Sequence, residues 1–275
     1  MEKYLFLAHL TALTLLFSSA VHAKCDDTEN EIYTHNKCTK IKTYKSEEIS
    51  VSPTLLIALH GDSPFHKPSY HYRFARLIAE QSNDLVSVGM LRPGYSDPMD
   101  RTSDGVRGDA IGDNYDKTRV DQLAEAIKQL KTQYNASYVV LAGHSGGGAI
   151  IGNLIGVHPA LVDHAFIVAC PCDINAWRSD MYQLTNNTIF DGTLDVISPI
   201  ERAADVSPKT RVTLFAGEKD AVAKPYLSQR YQSALEIKGK KAELYMIDGD
   251  HEIFLNPKVM ETVINTIKGY TNRQK

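Results

Sequence analysis

A serine enclosed by glycines, at a point where an apolar run passes into a helical segment, is the feature that most restricts the fold of this chain. Residues 143–148 read GHSGGG, with Ser145 at the third position. Five apolar or small residues, 138–142, precede the motif, and residues 149–152 follow it. A serine in so sharp a strand-to-helix turn takes a strained backbone conformation, and only small neighbours fit beside it. The motif therefore predicts a strand, a tight turn and a helix, with the Ser145 hydroxyl at the positive end of that helix.

Apolar runs and helical patterns alternate along the rest of the chain. Runs typical of strands buried on both faces occupy residues 54–59, 85–90, 138–142, 165–169, 212–216 and 242–247. Helical patterns occupy residues 68–82, 118–133, 225–236 and 258–270, and a further helix follows the serine motif. Strands that alternate with helices in this way predict an α/β fold, with a mostly parallel central sheet and helices on both faces. Residues 24–50 are polar, and whether they add an edge hairpin stays open.

Length and charge restrict the possible functions. The chain has 275 residues, 43% of them hydrophobic, which is enough for one large α/β domain. Its net charge is −3, and acidic and basic residues are interspersed without a basic run. Nucleic-acid binding therefore has no electrostatic support. The oligomeric state stays open.

The N-terminus has the pattern of a secretory signal peptide. Lys3 is followed by a mostly apolar stretch, residues 4–17, and then by small residues up to Ala23. The rival interpretation is a membrane anchor, but the stretch is short and is interrupted by His9 and several threonines. We predict a signal peptide at residues 1–23 and a single domain at residues 24–275. The mature protein would be periplasmic or secreted, with no stable membrane span.

All four cysteines lie in the part predicted to be exported. In an oxidising compartment Cys25 and Cys38 are a plausible disulfide, and Cys170 with Cys172 would close an unusually tight ring. Four cysteines allow three pairings, and the sequence does not choose among them. The ligand spacing of a zinc site is absent, and the acidic residues at 101–116 fit no calcium-loop template. We predict neither a metal nor a cofactor.

The order of three residues completes the pattern that the serine motif begins. Asp220 follows the strand predicted at 212–216, and His251 lies between the last predicted strand and the last helix. With Ser145 first, then the acid, then the histidine, the chain resembles an α/β-hydrolase-fold serine hydrolase of the esterase and prolyl-oligopeptidase-like superfamily, over about residues 54–270. The resemblance implies a nucleophile, an orienting carboxylate and a general base in these roles. Glu218 and Asp173 are alternative acids.

A second segment resembles the oxyanion-hole loop of that superfamily. His60, Gly61 and Asp62 follow the first buried strand. The backbone N–H groups of Asp62 and Gly146 would hold the developing negative charge, with Ser63 as an alternative to Asp62. The Asp62 carboxylate departs from the usual pattern, because it has to point away from an oxyanion. His60 is interpreted as structural.

The remaining site predictions concern the substrate pocket. The strand-to-helix turn that carries Ser145 is called the elbow below. The turn at residues 92–95 resembles one that commonly supports the elbow, and its Tyr95 is a candidate pocket residue. Residues 171–209 are irregular and lie where this fold inserts a small cap or lid. Within them Trp177 and Tyr182 are candidates to line an acyl pocket, and Arg178 is a candidate to bind a carboxylate. The alternative is that these side chains only pack the cap.

Three functions are compatible with this sequence. The first is an exported serine hydrolase that cleaves a carboxylic ester through an acyl-enzyme, which we favour. The second is a peptidase of the prolyl-oligopeptidase-like branch. The third is a non-catalytic binding protein on a hydrolase scaffold, which would not need the strained elbow. The expected substrate is a small-molecule ester or a short peptide.

Overall fold

The computed structural model describes residues 25–27, 29–63, 65–107 and 115–274. The predicted signal peptide, residues 1–23, lies outside these residues. The strands are β1 Glu31–Thr34, β2 Lys37–Lys45, β3 Thr54–Leu59, β4 Leu85–Met90, β5 Tyr138–His144, β6 His164–Val168, β7 Arg211–Gly217 and β8 Lys241–Ile247. The α-helices are α1 Tyr70–Glu80, α2 Lys117–Gln133, α3 Gly146–Val157, α4 Ile174–Thr185, α5 Pro225–Ile237 and α6 Pro257–Gln274.

The strands form a single eight-stranded mixed sheet in the order β1-β2-β4-β3-β5-β6-β7-β8. Strands β3 to β8 are parallel to their neighbours among themselves, whereas β2 is antiparallel to both β1 and β4. Every residue of β3 and β4 is buried, as expected for central strands covered on both faces. The predicted α/β class with a mostly parallel sheet is confirmed.

Two apolar layers enclose the sheet. On one face α1 and α6 pack against strand residues such as Leu56 and Val140. On the other face α2, α3 and α5 pack against residues such as Ile57 and Leu141. The alternation of neighbouring side chains to opposite faces explains how one apolar strand serves both layers. The parallel strands consequently carry their carboxyl ends, and the loops that follow them, to one edge of the molecule.

The segment at residues 171–209 is more regular than its sequence suggests. It contains α4 and two short 3-10 helices, Thr188–Phe190 and Pro199–Arg202. The Asp173 carboxylate caps α4 by accepting the Ala176 N–H. A small apolar cluster of Trp177, Phe190, Ala223 and Leu227 joins this segment to α5.

Two disulfides join the four cysteines, Cys25 with Cys38 and Cys170 with Cys172. The first fastens the described N-terminus to β2, and the second lies just after β6. Disulfides of this kind form and persist in oxidising compartments. Among the described residues, no helix combines the length and the apolar character that a membrane crossing requires.

Candidate active site

Ser145 lies between β5 and α3 in the strained backbone conformation that its sequence predicts. Its φ is 52° and its ψ is −121°, values that a residue with a side chain adopts only when its surroundings enforce them. The surroundings are tight, since a Cβ on Gly147 would lie 2.5 Å from the His60 carbonyl oxygen. The turn therefore places the Ser145 hydroxyl beside the first N–H groups of α3, which have no acceptor within the helix.

Two further strand ends bring an imidazole and a carboxylate to this hydroxyl. His251 follows β8, and its Nε2 lies 3.0 Å from Ser145 Oγ. Asp220 follows β7, and its Oδ2 lies 2.8 Å from His251 Nδ1. The structure thus brings together the three residues that the sequence singles out, in the geometry that lets an imidazole take the serine proton.

Each oxygen of the Asp220 carboxylate has its own hydrogen-bond partners. It is buried, and its Oδ1 accepts the backbone N–H groups of Val222 and Ala223, each at 2.8 Å. Its Oδ2 is left to His251. The alternative acids lie elsewhere: Glu218 is exposed, and Asp173 caps α4 and forms an ion pair with Arg230 at 2.9 Å.

The loop after β3 lies beside the turn at Ser145, and its first amide has a partner within the protein. The Gly61 N–H donates to the Tyr70 hydroxyl at 2.6 Å. The Gly61 amide is therefore engaged within the protein, and the amides of Asp62 and Ser63 are the candidates from this loop for an oxyanion donor.

The Asp62 side chain lies in a buried charge network. Its carboxylate forms an ion pair with Arg92 at 3.0 Å and accepts hydrogen bonds from the hydroxyls of Tyr95, at 3.3 Å, and Tyr115. Burial and the neighbouring Asp62 charge hold the pKa of Tyr115 well above its usual range, so this hydroxyl stays a donor. A Cβ on Gly146 would lie 2.6 Å from Asp62 Oδ2, so the carboxylate is close to the elbow. The Arg92 cation offsets its charge there.

His60 forms hydrogen bonds with backbone groups beside the same network. Its Nε2 accepts the backbone N–H of Arg92 at 3.0 Å, and its Nδ1 lies 2.7 Å from the Gly61 carbonyl oxygen. Burial lowers the pKa of His60 well below its usual value, which keeps the ring neutral. These contacts are those of a structural residue.

A cleft of about 340 Å³ opens at Ser145. A neighbouring cavity of about 560 Å³ shares Ser63, His66 and Lys67 with it and is bordered by Tyr95. The cleft is lined by Gly61, Asp62, Ser63, His66, Lys67, Pro68, Ser69, Tyr70, His144, Ser145, His251 and Glu252. The sequence gives no signal for Tyr70, since a tyrosine at the start of an amphipathic helix has no functional pattern of its own.

Three candidate pocket residues are not brought to this cleft. Trp177 packs edge-on against Phe190, at 5.6 Å between ring centroids, and the half-buried Tyr182 packs against the same cluster. The Arg178 guanidinium donates to the Ile189 carbonyl oxygen at 2.6 Å and helps to hold the loop that follows α4. These contacts fit packing of residues 171–209, the alternative that the sequence leaves open.

Solved structures with this architecture include both esterases and peptidases. An esterase from Pyrococcus furiosus, Pf2001, has a TM-score of 0.63 and 14% identity, over 86% of this chain and 90% of that one. Proline iminopeptidase from Mycobacterium smegmatis has a TM-score of 0.66 and 14% identity, over 89% and 99%. Est1E from Butyrivibrio proteoclasticus, solved with ferulic acid, has a TM-score of 0.62 and 12% identity, over 89% and 98%. Likeness at these identities establishes the α/β-hydrolase fold.

Sequence comparison adds the family. No curated protein matches the chain. The profile of the prolyl oligopeptidase family, Peptidase_S9, matches residues 108–274, which is more than half of the chain. The resemblance drawn from the order of Ser145, Asp220 and His251 is thereby confirmed at the level of the superfamily. The chain is a hydrolase of the α/β-hydrolase fold and belongs to the prolyl oligopeptidase family.

Proposed function

We propose that this protein hydrolyses a carboxylic ester through an acyl-enzyme, with Ser145 as nucleophile, His251 as general base and Asp220 as the residue that orients the imidazole. The observation that carries the proposal is the continuous chain from Ser145 Oγ to His251 Nε2, at 3.0 Å, and from His251 Nδ1 to Asp220 Oδ2, at 2.8 Å. A binding protein would need neither this chain nor the positive φ of Ser145.

The chemistry follows from these positions. Ser145 Oγ attacks the ester carbonyl carbon while its proton passes to His251 Nε2. The N–H groups of Gly146 and Asp62 stabilise the oxygen that becomes negative. His251 then gives the proton to the departing alcohol, which leaves an acyl group on Ser145. A water molecule, deprotonated by His251, then attacks the acyl carbon. The bond from this carbon to Ser145 Oγ breaks, His251 returns the proton to Oγ, and the carboxylic acid leaves.

The cleft favours an ester over a peptide with a free amino terminus. Recognition of an α-amino group calls for a carboxylate that is not yet neutralised. Asp62 lies in the cleft, but its charge is already offset by Arg92. Glu252 is the other carboxylate among the lining residues, and it is the observation, with the family match, that keeps a peptidase as the second candidate.

We also propose that the protein is exported and that residues 171–209 act as a small cap. The signal-peptide pattern at residues 1–23 and the two disulfides support export. The position of the segment, an insertion with its own helix α4 between β6 and β7, supports the cap.

Labelling with a fluorophosphonate, a probe that reacts with activated serines, tests the mechanism. We expect wild-type protein to be labelled, Ser145→Ala to be unlabelled, and Ser228→Ala, which removes a buried hydroxyl of α5, to be labelled at the wild-type rate. Short aryl and alkyl esters would then be hydrolysed, and aminoacyl amides would not. A folded wild-type protein that does not react would overturn the mechanism. Rapid cleavage of aminoacyl amides, lost in Glu252→Gln, would favour the peptidase.

A further inference from the structure

We propose that Tyr70 and His144 are positioning residues, which form a hydrogen-bonded link between the oxyanion loop and the loop that carries His251. The inference rests on the proposed function, because both ends of the link would be parts of the catalytic machinery. Three hydrogen bonds form it: Gly61 N to Tyr70 Oη at 2.6 Å, Tyr70 Oη to His144 Nδ1 at 2.9 Å, and His144 Nε2 to the His251 carbonyl oxygen at 2.8 Å.

The direction of each bond follows from the groups at the two ends. A carbonyl oxygen only accepts, so His144 Nε2 carries a proton and donates to His251. The ring of His144 is buried, and burial lowers its pKa to about 3, so its other nitrogen is an acceptor at neutral pH. The Tyr70 hydroxyl must therefore donate to His144 Nδ1. Its oxygen is then free to accept the Gly61 N–H, which completes the link with one consistent set of donors.

Tyr70 and His144 both lie in regular elements beside Ser145, so a shift of either residue would move the loops that it contacts. Tyr70 is the first residue of α1, and its ring packs edge-on against Phe254, at 5.8 Å between centroids. His144 is the last residue of β5, directly before Ser145, and its ring lies 5.0 Å from the His251 ring between centroids, at a tilt of 44°. The link thus spans the elbow from one side to the other. It fixes the distance between the oxyanion donors and the general base.

The link also keeps the Gly61 amide from serving as an oxyanion donor. The Tyr70 hydroxyl occupies the Gly61 N–H, so this group cannot bind a substrate oxygen in the wrong place. The neighbouring Asp62 amide is held in register by the same bond. If Tyr70 loses its hydroxyl, the Gly61 amide becomes free and the loop can rotate. We therefore expect the chemical step to suffer more than substrate binding, because a small displacement of oxyanion donors affects the transition state most.

The first test is Tyr70→Phe, measured on the ester that the wild-type protein hydrolyses best. We expect kcat to fall about 10- to 100-fold while KM changes less than about 2-fold, because a displaced donor costs less than the roughly 100- to 1,000-fold loss that follows its removal. The matched control is Tyr231→Phe, which removes a buried hydroxyl that has no hydrogen-bond partner among the described residues. This control should retain wild-type kcat and KM.

The second test separates the two ends of the link. His144→Gln keeps an N–H donor for the His251 carbonyl, whereas His144→Leu removes it. We expect the Gln variant to retain more activity than the Leu variant. In the double variant Tyr70→Phe/His144→Leu, the fall in kcat should be close to that of the worse single variant, since residues of one chain of hydrogen bonds act as a unit.

The outcomes distinguish this inference from the proposed function. A wild-type protein that fluorophosphonate does not label would overturn the proposed function. A labelled wild-type protein, with Tyr70→Phe labelled and turning over at the same rate, would overturn the link alone. So would multiplicative effects in the double variant. If Tyr70→Phe does not fold, as judged by thermal unfolding, the comparison of His144→Gln with His144→Leu decides.

Discussion

The hydrogen bonds around the Asp220 carboxylate make a sharp prediction for Asp220→Asn. The two backbone N–H groups of Val222 and Ala223 require an acceptor, so the Asn carbonyl oxygen will face them. The Asn amide nitrogen is then turned toward His251 Nδ1 and forces this nitrogen to become an acceptor. The proton moves to Nε2, which can no longer take the Ser145 proton. We expect kcat to fall by about four orders of magnitude with little loss of stability.

The control for this prediction is Asp173→Asn. This alternative acid caps α4, and asparagine is an equally good cap, so kcat should change less than about 2-fold. Steady-state kinetics of both variants, with unfolding curves, provide the measurement. If Asp220→Asn retained more than a tenth of the wild-type kcat, the role assigned to Asp220 would be wrong.

The hairpin of β1 and β2 depends on a crosslink that the rest of the sheet does not need. Cys25 and Cys38 are 13 residues apart, and their disulfide fastens the described N-terminus to β2. Closing a loop of about this length stabilises a folded chain by about 3 kcal/mol in the chain-entropy estimate. We expect Cys25→Ala/Cys38→Ala to lose about 2–3 kcal/mol of unfolding free energy in urea and to exchange the β1 and β2 amides faster.

The same variant should keep its hydrolytic activity. Two strands, β4 and β3, separate β2 from β5, so the elbow does not depend on the hairpin. Hydrogen exchange that stayed slow in β2, with unchanged stability, would contradict the prediction. A parallel loss of kcat would show that the hairpin and the site are coupled.

The strands and helices differ in how clearly their residues predict them, and each difference has a physical reason. Strands β3 and β4 were predicted to the residue, because strands buried on both faces are continuous apolar runs. The nine-residue β2 was left open, since its lysines hide the alternation of buried and exposed positions. Helix α4 was missed, although Ile174, Trp177, Arg178 and Met181 have helical spacing.

The site residues also differ in this respect: chain order predicts some of them, and no local pattern predicts the others. Chain order and strand ends identified Ser145, Asp220 and His251 as candidates, because a parallel sheet collects its carboxyl ends at one edge. No local pattern reveals that Asp62 pairs with Arg92 and Tyr115, which are 30 and 53 residues away in the sequence. The link through Tyr70 and His144 is hidden for the same reason. Contacts between distant segments depend on how the loops pack, and the residue types alone do not determine this.

Taken as a whole, the folded chain buries a set of neutral imidazoles, and this makes it sensitive to acid. Among the described residues, the buried histidines are His60, His71, His144 and His164. Burial lowers the pKa to about 3 for His71, His144 and His164, and well below the usual value for His60. The unfolded chain therefore binds more protons than the folded chain between pH 3 and about pH 6.5. The stability that the folded chain gains by keeping these rings neutral is fully present above pH 6.5 and is lost as the pH falls below it.

The predicted slope is steep enough to measure. Each histidine whose pKa falls to about 3 contributes about 1.4 kcal/mol per pH unit, so His71, His144 and His164 together contribute about 4 kcal/mol per unit near pH 5. We expect urea unfolding to show a nearly constant free energy from pH 8 to pH 7 and a sharp decline between pH 6 and pH 5. His71→Leu isolates one contribution, because neither ring nitrogen of His71 has a hydrogen-bond partner among the described residues. This variant should lower the slope by about 1.4 kcal/mol per unit.

The matched control is His35→Asn, at an exposed position of the β1–β2 turn. This variant removes an exposed imidazole and is compared with His71→Leu, which removes a buried one. A decline with the same slope in His71→Leu as in the wild-type protein would show that His71 is not neutral when buried, and acid unfolding would then have to come from other groups. A wild-type free energy that stays constant down to pH 5 would contradict the argument for all four histidines. The acid sensitivity is thus a property of the packed molecule, since it exists only where the fold takes these rings out of water.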